Sequence, residues 1–185
     1  LLAATLLGAS GLMASCNDDE TSAPHKVPQA KVLRTAVASG VYTTTQGLSI
    51  DMFGLSAKLG QQENQKIEVK ALTDSTISLH FPAYDVPLVG DFPYSNAAQK
   101  EYQLDKVVVK FQPDGTMSFA SKVKIETVFQ MTPAKMKKDD IPYRTFPDTP
   151  ISYEGTIKGK ELTVKITAQP GKMPFPVTYN YVGQK

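Results

Sequence analysis

The chain has 185 residues, with 20 Lys and Arg against 18 Asp and Glu, for a formal net charge of +2. Such a mild balance, with Arg34 and Arg144 the only arginines, excludes the basic footprint of a nucleic-acid binder. A lone cysteine, Cys16, excludes an intramolecular disulfide, and without Trp any sugar-stacking platform must come from Tyr or Phe.

Leu1 to Ser15 carry no charge and are mostly Leu, Ala, Gly and Met. The run is shorter than the roughly 20 apolar residues that cross a hydrocarbon core. It fits the apolar region of a secretory signal closed by small residues at Ala14 and Ser15. The positively charged start of such signals is missing, so the sequence is expected to begin inside a longer precursor. A buried helix is the plainer alternative, but Asn17 to Gln29 follow with polar residues and prolines and offer it no partner. Met13-Ala14-Ser15-Cys16 resembles the bacterial lipobox. In that family the thiol is diacylated, the signal is cut before the cysteine and the new amine is acylated. One acyl chain holds a protein marginally, whereas several hold it stably. The following Asn17-Asp18-Asp19-Glu20 resembles the export signal of Bacteroidetes surface lipoproteins. The resemblance implies a membrane partner through Cys16, with Asp18, Asp19 and Glu20 directing the protein to the outer face of the outer membrane. Periplasm-facing attachment is the alternative. Thr21 to Ala30, with Pro24 and Pro28, reads as a tether. The expected organisation is therefore a signal at 1–15, a lipidated tether at 16–37 and one domain at 38–185, long enough to bury a sizeable core.

Alternation at a period of two dominates that domain. Val41 to Thr45 is Thr-rich, and Leu48, Ile50 and Met52 then alternate with Ser49 and Asp51. Leu55, Ala57 and Leu59 predict a second strand ending at Gly60, and Ile67, Val69 and Ala71 another. Ile77, Leu79 and Phe81 oppose Ser78 and His80. Val107 to Phe111 reads as a strand before the Pro113-Asp114-Gly115 turn, and Val123, Ile125, Thr127 and Phe129 face away from Lys122, Lys124 and Glu126. Ile151, Tyr153 and Ile157 precede a turn at Lys158-Gly159-Lys160, then Leu162, Val164, Ile166 and Ala168 alternate with Thr163, Lys165 and Thr167. Pro170-Gly171 turns the chain into a last strand over Met173 to Val182. Only Ser95 to Glu101 could form a helical turn.

Eight or nine antiparallel strands with one apolar face each must close or stack to bury those faces, and the short turns favour an up-and-down barrel. Gly155 to Val164, continuing through Pro170-Gly171-Lys172-Met173-Pro174 to Tyr181-Val182-Gly183, resembles the calycin-like (lipocalin-like) domains of Bacteroidetes lipoproteins. Gly40-Val41-Tyr42-Thr43 and the Pro113-Asp114-Gly115 hairpin are similar too. The resemblance spans most of 38–183 and implies an all-β, antiparallel, up-and-down barrel. It carries no functional residues. Two inserts, near 82–103 and 130–149, depart from the compact pattern.

No catalytic motif is present. A nucleophile needs an adjacent base, yet His25 lies in the tether and His80 on a polar strand face. No HxxxH or CxxC pair suggests a metal, no Gly-rich loop suggests a phosphate, and no cofactor is expected. Asp51, Asp85, Asp91 and Glu126 are scattered and read as ordinary surface charges. Lys135-Met136-Lys137-Lys138, balanced by Asp139 and Asp140, reads as a solvated loop. The inserts combine aromatics with prolines, which stiffen long loops of the kind that carry binding at a barrel mouth. Tyr84, Phe92, Tyr94, Tyr143, Arg144 and Phe146 are the candidate binding residues; the plainer reading is that the aromatics plug the barrel. Two functions follow. A hollow barrel, lined by residues such as Leu79, Val109, Ile125 and Val164, would take a small apolar or amphipathic ligand. A filled barrel would dock a surface protein or glycan through its aromatic loops.

Overall fold

The period-two runs fold as antiparallel strands in a computed structural model that describes residues 31–52, 55–90 and 93–185. Cys16, Asp18, Asp19, Glu20 and Phe92 lie outside the described residues. The unit from Val32 to Lys185 contains β1 (Gly40–Met52), β2 (Leu55–Ala71), β3 (Thr76–Phe81), β4 (Tyr84–Pro87), β5 (Tyr94–Gln99) and β6 (Tyr102–Val108). Then come β7 (Lys110–Phe111), β8 (Met117–Pro133), β9 (Arg144–Lys158), β10 (Glu161–Ala168) and β11 (Val177–Gln184). The described helical structure is two short 3-10 turns, Arg34–Ala38 and Lys138–Asp140.

All described strands join one antiparallel sheet in the order β4-β5-β8-β9-β10-β11-β1-β2-β3-β6. The path returns on itself, because β6 pairs with β3 while its continuation β7 pairs with β8. Counting β6 and β7 as one, the curl is an up-and-down meander, with the β4–β5 hairpin added against β8. That hairpin is the first of the two inserts. It also reaches β2, where Gly60 comes so close that an added Cβ would lie 2.4 Å from Val86 Cγ1 and 2.8 Å from the Pro87 carbonyl oxygen. Only a glycine lets β4 lie down there.

Four local expectations change. β2 is continuous through Gln61 to Gln65, a polar stretch without an apolar face, because β1 pairs with it on both sides of a register shift. Asn64 turns to a φ of 57° within that shift, a local kink that keeps the strand paired rather than ending it. Ser95 to Gln99 is strand, not helix, since β4 and β8 pair with it from either side. The last strand starts only at Val177. Pro174 and Pro176 lack the N–H groups a ladder needs, so Met173 to Pro176 forms a loop. Finally, the turn Arg34–Ala38, of which residues 34–37 fall in the tether expected above, packs under the barrel, where Tyr42 donates its hydroxyl to the Ala38 carbonyl at 2.8 Å and Lys185 Nζ donates to those of Val37 and Ser39. This is the near end. The far end gathers the opposite strand termini, from Met52 and Phe81 to Pro133, Arg144, Ala168 and Val177.

Alternation points Tyr42, Leu48 and Ile50 of β1, Leu162, Val164 and Ile166 of β10 and Tyr179 and Tyr181 of β11 inward, all buried. Each such aliphatic or aromatic side chain contributes roughly 1.5–3 kcal/mol by leaving water. The barrel is filled by its own residues: Phe81 stacks on Tyr102 with centroids 4.9 Å apart and lies 5.2 Å from Tyr181. Among their polar atoms Gln46 Nε2 donates to Tyr181 Oη at 3.1 Å, while Gln46 Oε1 is buried without a partner. Leu79, Val109 and Val164 belong to this solid core, and Ile125 is half-buried against it. They line no described cavity of the barrel interior.

The candidate site at the far end

β8 and β9 outrun their neighbours, pairing from Met117↔Ile157 to Phe129↔Arg144. Their extension is the second insert, and it carries a chain segment, 134–143, that folds back on β8. Gln130 holds the fold: its side-chain amide nitrogen donates to the Lys138 carbonyl at 3.2 Å and to the Ile141 carbonyl. Lys138 ion-pairs with Asp85 of β4, Ala134 N donates to the Pro93 carbonyl at 3.0 Å, and Lys100 Nζ sits 4.3 Å from the centre of the Tyr143 ring. The basic run predicted to be a solvated loop therefore does two things. Its lysine ties the segment down, while Met136 faces a cavity.

That cavity has a volume of about 930 Å³, within the range of roughly 300–1,000 Å³ typical of small-molecule sites. Its floor is Ile50 and Phe129, both buried where the barrel ends. One wall is the folded-back segment, with Met136, Ile141 and Pro142; the other is the β10–β11 loop, with Met173, Pro174 and Phe175. Gln169 Nε2 donates to the Met173 carbonyl at 2.7 Å and shapes that loop. Gly171 lets it pass Phe146: its φ is +58°, and an added Cβ would lie 2.6 Å from the Phe146 ring. Methionine side chains adapt to irregular apolar occupants, and three of them, Met131, Met136 and Met173, line this space. Arg144 is the only charged side chain in the described lining, and Gln130 and Tyr94 are the polar ones.

The candidate residues separate accordingly. Tyr94, Arg144 and Phe146 meet at the cavity. Tyr143 lies beside it in contact with Lys100, and Tyr84 stands on β4, not on a loop, 3 % exposed and bonded to Tyr179 inside the barrel. Ile50, the three methionines and Phe175 were missed. Met173-Pro174-Phe175-Pro176 alternates like a strand, and its prolines were the signal that it is a loop. His80 lies 3.6 Å from Glu101 on the outer face, and no cluster of His, Cys, Asp or Glu able to hold a metal occurs among the described residues. No described helix is long and apolar enough to cross a membrane.

The family model described as "Calycin-like beta-barrel domain" matches residues 38–184. The fold is similar to the crystal structure of a "putative outer membrane protein" from Bacteroides fragilis, with a TM-score of 0.59 and 16 % identity. The likeness covers 85 % of this chain and 54 % of that one, so the chain spans about half the length of its structural relative. No curated protein matches.

Proposed function

The chain belongs to the calycin-like β-barrel domain family, and from that premise we propose that it is a non-catalytic outer-membrane lipoprotein that binds a small apolar or amphipathic ligand. The binding place is the mouth of the barrel and not its interior. One observation carries this: about 930 Å³ of space at the far end, walled by Met, Phe, Ile and Pro side chains with a single charge. Apolar surface that a folded chain leaves concave and unfilled gains free energy when an apolar guest displaces its water. Cys16 carries the acyl anchor, and Asp18, Asp19 and Glu20 direct it to the cell surface. The lipobox resemblance supports the anchor, and the name of the Bacteroides fragilis relative supports the compartment.

Native mass spectrometry of the full chain, soaked in lipid and metabolite extract, tests the binding reading. A reproducible small-molecule adduct, lost when Phe146→Asp or Met173→Asp charges the wall, is the expected result. A clean apo mass in every extract overturns it. The filled interior, with Tyr94 and Tyr143 partly exposed at the rim, favours a second reading in that event, a module docking a surface protein or glycan. Anchoring is tested separately. Cys16→Ala should leave unprocessed precursor without lipid label, and replacing Asp18, Asp19 and Glu20 by Ala should lower protease access on intact cells.

A further inference from the structure

The polar groups of the cavity say more about its occupant than the apolar walls do. Arg144 opens β9 directly opposite Phe129, solvent-exposed and aligned with the cavity floor. No ion pair among the described residues engages it, and no carboxylate stands in the described lining. By contrast, Arg34, at the near end, is spent on the Phe111 ring at 4.1 Å. A guanidinium left uncompensated at the rim of an apolar cavity favours a guest with one negative charge. Its planar fork matches a carboxylate with two parallel hydrogen bonds.

Gln130 gives the guest no polar contact. Its amide nitrogen is taken by the Lys138 and Ile141 carbonyls, and its Oε1 is closed off from solvent and so from any atom in the cavity. The polar head of a guest therefore meets Arg144.

We propose that the cavity takes a long-chain carboxylate, its head on Arg144 and its chain among Met131, Met136, Met173 and Phe146. This assignment rests on the binding reading above and specifies its ligand class.

Titration calorimetry on the full chain with two amphiphiles of equal chain length, dodecanol and dodecanoate, below the solubility of the alcohol and the micelle concentration of the acid, tests it. At low salt and pH 7.5, dodecanoate is expected to bind roughly fivefold more tightly than dodecanol, the scale of an exposed ion pair. Raising the salt should narrow the difference between acid and alcohol. Arg144→Gln should bring the ratio of the two affinities close to one, and the ratio, not either affinity alone, reports the lost charge. Equal affinity of the parent protein for dodecanol and dodecanoate overturns the carboxylate assignment while the binding site stands. Failure of both to bind removes the binding reading and this inference together.

Discussion

Tyr84 and Tyr179 join their hydroxyls at 3.0 Å inside the barrel, one from the inserted β4–β5 hairpin and the other from the last strand. Their rings lie 5.5 Å apart and tilted by 51°. The contact links segments 95 residues apart in sequence, so the hairpin is riveted to the core as well as paired along β8. Tyr84→Phe leaves a buried hydroxyl without its partner and should lower the unfolding free energy by about 1–2 kcal/mol in urea denaturation. The double variant Tyr84→Phe, Tyr179→Phe should cost less than the sum of the singles, because both partners then leave together.

Gly171 and Phe146 make the second prediction. Gly171→Ala meets a left-handed backbone and the Phe146 ring at once. The ring must shift, and it is part of the cavity wall. The expected result is a stability loss of roughly 1–2 kcal/mol together with weaker binding of apolar probes. Gly115→Ala, at a φ of +82° with open space around it, should show the stability loss alone.

Oxidation separates the methionines. Met131 and Met173 are half-buried and Met136 is exposed around the cavity, whereas Met117 is 2 % exposed in the core. Mild peroxide should convert the first three to sulfoxides ahead of Met117, as read by peptide mass spectrometry. Each sulfoxide makes a polar group of an apolar wall, so probe affinity should fall in step with oxidation while the fold persists.

The tyrosines predict an alkaline limit. Burial pushes the Tyr42 hydroxyl up to about 12, and those of Tyr84, Tyr102, Tyr179 and Tyr181 are pushed up as well, in each case chiefly by burial. The folded state thus holds these protons more firmly than the unfolded chain, whose tyrosines titrate near 10. Their contribution is complete below about pH 10 and is lost as pH rises through 10 to 12 and beyond. Absorbance at 295 nm should show the core tyrosines ionising in one cooperative step together with unfolding, rather than along a gradual curve.

Much of the barrel was legible because alternation is a local signal. Leu162, Val164, Ile166 and Ala168 point inward as their spacing predicts, and the Pro113-Asp114-Gly115 turn closes where expected. There Asp114 accepts from Thr116 N and Oγ1 and lies 3.3 Å from Lys158 Nζ; the Thr116 bonds, first of all, hold its carboxyl below the usual range. Polar pairing was not legible. Gln61 to Gln65 show no apolar face, and β1 alone makes them strand. The cavity was half legible: Tyr94, Arg144 and Phe146 stand in segments rich in Pro and aromatics, which fold as the opening residues of β5 and β9 and not as loops. Met136 reaches Met131 through the fold-back that Gln130 holds, and Met173 comes from the β10–β11 loop opposite, a juxtaposition no linear spacing encodes. Tyr84 went the other way, since nothing in Phe81-Pro82-Ala83-Tyr84 tells whether its ring turns outward or in.

The chain runs into the barrel under its near end, through Arg34–Ala38, and the cavity opens at the far end. Entry and cavity thus stand at opposite ends of the strands. The Lys185 contacts with Val37 and Ser39 can be altered without touching a residue of the cavity wall, and the wall can be rebuilt without touching the place where the chain joins the barrel.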